Sequence, residues 1–276
     1  MKACQENRSL DTLAVKLVAV DLDDTLLSRE AQITARVRKA VAAVRAAGVY
    51  FTVSTGRMYK SAARIAGELG IDIPLITYQG ALVKNSLSGE VLVDKPLPLA
   101  YAREISARVR QYGYYLNGYL DDRLLMERDD KEGLRHAAIA GVEVEVVSDL
   151  LEFLKRDPLK VSTIVKEPLL DQLKAELASL FEGKITVHKS KPHFLEFSHI
   201  EATKGTALAF LAAYLGIKRE EIMAVGDGDN DLDMLEYAGL GVVVANAGEE
   251  IKQFADYVTA ASYGDGVVEA LEKFVL

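Results

Sequence analysis

The chain has 276 residues, room for about two domains at ~150 residues each, and is too long for a disulfide- or metal-stapled miniprotein. Half of it is apolar and 27% is charged, the balance of a chain that folds rather than stays disordered. Lys plus Arg number 33 against 41 Asp plus Glu, and a formal charge of −8 excludes a general attraction to nucleic acid or to an anionic membrane, so any phosphate must be met by local cations. The longest stretches without a formal charge, residues 205–217 and 237–248, are far shorter than the ~20 apolar residues of a spanning helix. The polar opening MKACQENRSLDTL lacks the apolar centre of a signal peptide, so the cytoplasm is the expected compartment. Cys4, the only cysteine, leaves neither an internal disulfide nor a Cys-based metal site.

Residues 16–80 alternate short apolar runs with amphipathic helices, the pattern of a parallel sheet with crossover helices. The run KLVAVDLD ends on acids. A helix follows, with Thr34 as N-cap, Ile33, Val37, Val41 and Val44 near helical spacing, and Gly48 placed to stop it. VYFTVS is a second buried strand, residues 59–68 a second helix, and IPLITY a third strand. From residue 83 to 198 the character changes. YYLNGY, VEVEVV, KVSTIV, KITVH and HFLEFS alternate apolar and polar residues as half-exposed antiparallel strands do, with helices near 99–111, 149–155 and 168–181. After residue 199 the first rhythm returns. The predicted fold is α/β: a doubly wound parallel sheet from residues 1–82 and 199–276, with an α+β module of residues 83–198 inserted, its two linkers acting as hinges.

In such a sheet ligands bind at the carboxyl ends of the strands. VAVDLDDTLL puts Asp21 and Asp23 at one such end, and IMAVGDGDNDLDML puts Asp227, with Asn230 and Asp231 after it, at another. Clustered carboxylates repel unless a cation joins them, and Mg²⁺, which takes a few carboxylates, waters and phosphate oxygens, is the expected ion. A calcium-loop reading of the second segment fails, because Leu232 stands at the required glycine and Ala238 at the bidentate glutamate. A dinucleotide fingerprint fails as well, since Asp231 occupies the third glycine position. VSTGR offers Thr55 as a hydroxyl, Gly56 for close approach and Arg57 as a charged fork, and ATKG offers Lys204 at a helix start; all suit a phosphate.

In this order, DLDDT, STGR, a lone lysine before a helix and GDGDND resemble the haloacid dehalogenase superfamily of phosphotransferases. The α+β insertion between the second and third elements resembles the type IIB cap of its Cof-type branch, and ADYVT and DGVVEAL at 255–271 match the family's tail. The resemblance implies Asp21 as nucleophile and Asp23 as general acid and base. It implies Thr55 and Lys204 on the phosphoryl oxygens, Asn230 near the phosphate, and Mg²⁺ held by Asp21, Asp227 and the Asp23 backbone carbonyl. Asp231 would act behind these, on a metal-bound water or on Lys204. One departure is visible: Gln79 stands where the family often has Asn.

The expected activity is Mg²⁺-dependent hydrolysis of small phosphorylated metabolites, sugar phosphates above all, through an aspartyl phosphate. The alternatives are a phosphomutase of the same architecture and, from another class, a non-enzymatic acidic receiver or ion-binding module. The inserted module covers the strand ends, so substrate choice is expected there. In its basic run His188, Lys189, Lys191 and His193 are candidates to attract anionic or hydroxylated substrates, against the plainer reading of a solvated turn. Tyr112, Tyr114, Tyr115 and Tyr119 are expected in the module's core and strand surface, not as a stacking platform.

Overall fold

The computed structural model describes residues 14–128, 131–191 and 193–276; Cys4 lies outside the described residues. Five strands come first: β1 (Leu17–Val20), β2 (Tyr50–Val53), β3 (Pro74–Thr77), β4 (Leu82–Asn85) and β5 (Val91–Asp94). Six form the inserted layer: β6 (Asn117–Leu120), β7 (Arg123–Met126), β8 (Val144–Val146), β9 (Lys160–Ile164), β10 (Ile185–Lys191) and β11 (Phe194–His199). The chain then returns for β12 (Ile222–Gly226), β13 (Leu240–Val243) and β14 (Tyr257–Val258).

The central sheet is parallel, in the order β14, β13, β12, β1, β2. All residues of β1 and β12 are buried, as expected for strands covered by helices on both faces. Thr34 caps the helix Ala35–Ala46 by accepting the Val37 N–H at 3.2 Å, and that helix buries Val37, Val41 and Val44 against the sheet. Register then fixes the site. Val20 pairs with Val225 on one side and with Val53 on the other, so Asp21, Asp227 and Thr55 leave the sheet at the same edge although about 200 residues separate the first two.

The expected boundary at residue 82 falls inside a hairpin that belongs to the first layer. β4 pairs antiparallel with β3 and β5 with β4, β3 itself being joined to β2 through a Ser54–Ile76 bridge, and Val83, Leu92 and Val93 pack on the main core. The apolar core of the inserted layer starts at Leu97, so we place the division near residues 95 and 199. That layer is a six-stranded sheet in the order β10, β11, β9, β6, β7, β8, backed by the helices Leu99–Gln111 and Leu169–Leu180. The helix Lys131–Ala140 and strand β7 were not predicted. Among the described residues no helix is long and apolar enough to cross a membrane.

A third apolar cluster joins the layers: Met58, Tyr78 and Leu82 from below meet Leu124, Met126 and Ala137 from above. Just beneath it, Gly80 holds φ +94°, and a Cβ there would lie 2.1 Å from the Thr203 carbonyl oxygen. Only glycine lets this turn rest against the N-terminus of the helix Lys204–Leu215. Gly80→Ala should therefore cost roughly 1–3 kcal/mol in urea unfolding; an unchanged midpoint would contradict this packing.

Candidate active site

Beyond β1 the backbone bends sharply, with Asp24 at φ +61°, a conformation that a short polar residue tolerates. This turn aims Asp21 inward and leaves Asp23 at the rim of a cavity between the layers. Lys204, at the first turn of its helix and 1% exposed, donates to Asp21 Oδ1 at 2.5 Å and to Asp231 Oδ1 at 2.6 Å. The other Asp231 oxygen accepts the backbone N–H groups of Asp227 and Gly228, both at 3.0 Å. Asp231 thereby fixes the loop after β12 and the lysine together. The Thr25 hydroxyl donates to the Asp227 carboxylate.

Asp23 is gripped by the Arg57 fork, Nε to Oδ2 and Nη2 to Oδ1, both at 2.8 Å. Arg57, expected at the phosphate, is therefore turned toward the second acid. Thr55 is fully buried, and its hydroxyl accepts the Arg57 N–H at 3.2 Å. Gly56 leaves space that is filled by Gln79, whose amide nitrogen would sit 2.5 Å from a Cβ. Gln79 in turn accepts from the Asn230 amide at 3.1 Å, so the residue that departs from the family pattern joins the second and fourth motifs.

Burial pushes the Asp21 carboxyl well above the ordinary carboxylate range; Lys204 opposes that, while Asp231, Asp227 and Asp23 reinforce it. Burial and then the Asp231 charge push Asp227 up to about 7, against the Thr25 hydrogen bond. Burial by itself would lower Lys204, but Asp21 and Asp231 hold it above its usual value and so charged. Oxygens of Asp21, Asp227 and Asp231 lie within 4.8 Å of one another. The set suits Mg²⁺: hard carboxylate donors in a crevice with more acids than cations. Asp21 and Asp227 are better placed than Asp231 to hold such an ion, because both Asp231 oxygens already accept protein N–H groups.

The cavity above, of about 220 Å³, lies just below the usual range of sites for drug-sized ligands, a size for a small molecule. Its floor includes Asp21, Asp23, Arg57, Asp227 and Asn230, while Thr55 and Lys204 lie behind that surface. Its roof includes Asn117, Tyr119, Lys160 and Glu196, none of which the sequence singled out as a site residue. Lys160 and Glu196 were hidden in strands of ordinary alternating pattern. Tyr119 is a cavity wall, whereas Tyr112 and Tyr114 pack on the core of the inserted layer. Lys189 lines the cavity, yet its ammonium is paired with Glu167 at 2.9 Å and Asp171 at 3.1 Å, so its charge is largely answered. The Lys191 side chain lies outside the described residues. Among the described residues the histidines form no metal-ligand group.

Comparison with known proteins agrees with this geometry. The family model for haloacid dehalogenase-like hydrolases matches residues 18–271. YxeH of Bacillus subtilis is 32% identical over 269 residues, covering 95% of this chain and 98% of that protein. The 5-amino-6-(5-phospho-D-ribitylamino)uracil phosphatase YitU of the same organism is 29% identical over 264 residues, covering 94% and 97%. A crystal structure of a haloacid dehalogenase-like hydrolase from Bacteroides thetaiotaomicron superposes with a TM-score of 0.84 at 28% identity, covering 94% and 98%.

The raised Asp227 carboxyl sets a pH dependence. Without a cation the folded state keeps a proton between about pH 4 and 7 that the unfolded chain has lost, so this group's contribution to stability falls as pH rises through that window. A divalent ion binds the ionised form and should reverse the loss. The rise in Tm between chelator and Mg²⁺ should be larger at about pH 8 than at about pH 6; an equal or smaller rise at the higher pH would contradict the assignment.

Proposed function

Because the chain belongs to the haloacid dehalogenase-like hydrolases and is a phosphatase, we propose that it hydrolyses small sugar or polyol phosphates through a phosphorylated Asp21, with Mg²⁺ as cofactor. The observation that carries this reading is the pair of acids two residues apart in opposite settings. Asp21 is buried on Lys204, and Asp23 stands at the cavity rim under Arg57. One is placed to attack and the other to move protons.

Asp21 attacks phosphorus as the P–O bond to the leaving group breaks, and Asp23 delivers a proton to the departing oxygen. Water then attacks the phosphorylated Asp21, giving up a proton to Asp23, and inorganic phosphate leaves with Asp21 restored. Two displacements replace one difficult step. Asp21 and Asp227 would hold Mg²⁺, which when bound would supply positive charge where two anions must meet. Lys204 keeps an Asp21 oxygen oriented and answers part of the same charge.

Arg57 holds Asp23 in a bidentate grip at the cavity rim, where the phosphate ester would lie, and so orients the acid for both proton transfers. Thr55, Gly56 and Asn230 surround the same position from the loops after β2 and β12. The named substrate of YitU carries its phosphate on a ribityl chain, which supports a hydroxylated leaving group here.

Asp21→Asn should reduce release of inorganic phosphate from an aryl phosphate to background. Asp23→Asn should lower it by about 10²–10⁴-fold, the usual scale of general acid–base catalysis. Steady-state assays with and without Mg²⁺ test both; substantial turnover by Asp21→Asn would remove the nucleophile. Interconversion of phosphate positions with little phosphate release would instead indicate a mutase.

A further inference from the structure

The roof of the cavity holds a buried ion pair that none of the steps above uses. Lys160 on β9 is 3% exposed and Glu196 on β11 is 7% exposed. The Lys160 ammonium donates to Glu196 Oε1 at 2.8 Å, and it also crosses the layers to the Gly56 carbonyl at 3.0 Å. The Tyr119 ring centroid lies 4.6 Å from that nitrogen. Such a pair is rarely kept for stability, because two apolar residues of the same size commonly do as well or better. It needs another reason.

The second carboxylate oxygen supplies one. Among the described residues Glu196 Oε2 is buried with no partner at hydrogen-bond distance and angle, although the Ser190 side chain interacts with the same carboxylate. A buried acceptor left open calls for an explanation, and here the residue forms part of the cavity wall above the two catalytic acids. An ammonium carries three N–H donors, and Lys160 uses two on Glu196 and Gly56. Side by side, then, are an unused carboxylate acceptor and an ammonium donor. A hydroxyl answers both, since it donates through hydrogen and accepts through oxygen. A carboxylate on the leaving group would be repelled by Glu196, and an aryl group offers nothing to either.

We propose that Glu196, held by Lys160, is a specificity-determining residue that accepts a hydrogen bond from a hydroxyl of a neutral polyol or sugar leaving group. The assignment rests on the phosphatase reading above and narrows it to one part of the substrate. Because Lys160 also holds the Gly56 carbonyl, the same hydroxyl is read only while the two layers are together.

The test compares kcat/KM for a polyol or sugar phosphate, a carboxylated ester such as phosphoglycolate, and an aryl phosphate. Glu196→Gln replaces an ionised pair of acceptors by an amide whose single oxygen faces Lys160. The preference for the hydroxylated ester over each of the other two should fall by roughly 10- to 100-fold, the worth of a hydrogen bond to a charged group. If Glu196→Gln does not fold, Lys160→Met/Glu196→Leu removes both charges and should show the same loss of preference. An unchanged preference, whether all substrates slow together or none does, overturns the proposal. So does a wild-type enzyme that cleaves aryl phosphate but no polyol or sugar phosphate, a result that leaves the phosphatase reading standing. A wild type inactive on every ester would instead remove that reading first.

Discussion

The crevice at the end of the central sheet holds more negative charge than it can bear alone. Asp21, Asp23, Asp227 and Asp231 meet there, and the cations that touch them are Lys204 and Arg57. Lys204, buried between Asp21 and Asp231, answers both carboxylates, and removing it would leave the two acids uncompensated in a dry interior. Asp227, like Asp21, is raised by burial and by neighbouring acids, and a cation held between them would relieve that repulsion.

Chemistry and selection fall to different layers. The parallel sheet brings together groups from β1, β2, β12 and the helix that starts at Lys204, and all of them leave strand or helix ends at one level. The inserted layer adds a roof that contacts the floor through apolar packing around Met58 and Tyr78 and through polar bonds. Tyr78 donates to Asp122 at 2.8 Å, and Lys160 donates to Gly56. The second of these ends on the loop that carries Thr55 and Arg57, so the position of the roof is felt next to the acid Asp23.

Much of this was legible in the sequence, for physical reasons. A buried parallel strand ending in acids can be recognised because apolar runs and strand-end carboxylates are local patterns, and both Asp21 and Asp227 were found that way. Lys204, Thr55 and Asn230 were reached through motif order, and each lies beside those strand ends in the fold. Partner choice was harder. Nothing in VSTGR tells whether Arg57 faces a phosphate or grips Asp23, because that depends on a turn 34 residues earlier in the chain. Lys189 read as a free cation until Glu167 and Asp171 took its ammonium. β4 and β5 alternate as the inserted strands do, yet β4 pairs with β3 and β5 with β4, since hairpin register gives no sign of which sheet it extends. Lys160 and Glu196 were invisible for the same reason: a polar residue in an alternating strand reads as solvent-facing, and only the second layer shows that it faces a cavity.

The account stands or falls on a covalent phosphoryl group at the end of β1. Rapid acid quench of the enzyme during turnover of a labelled phosphate ester, followed by proteolysis and mass spectrometry, identifies the modified residue directly. The account predicts an acyl phosphate on Asp21 that disappears once the ester is consumed. Label on any other residue, or full turnover with no label retained under conditions that preserve acyl phosphates, would contradict it.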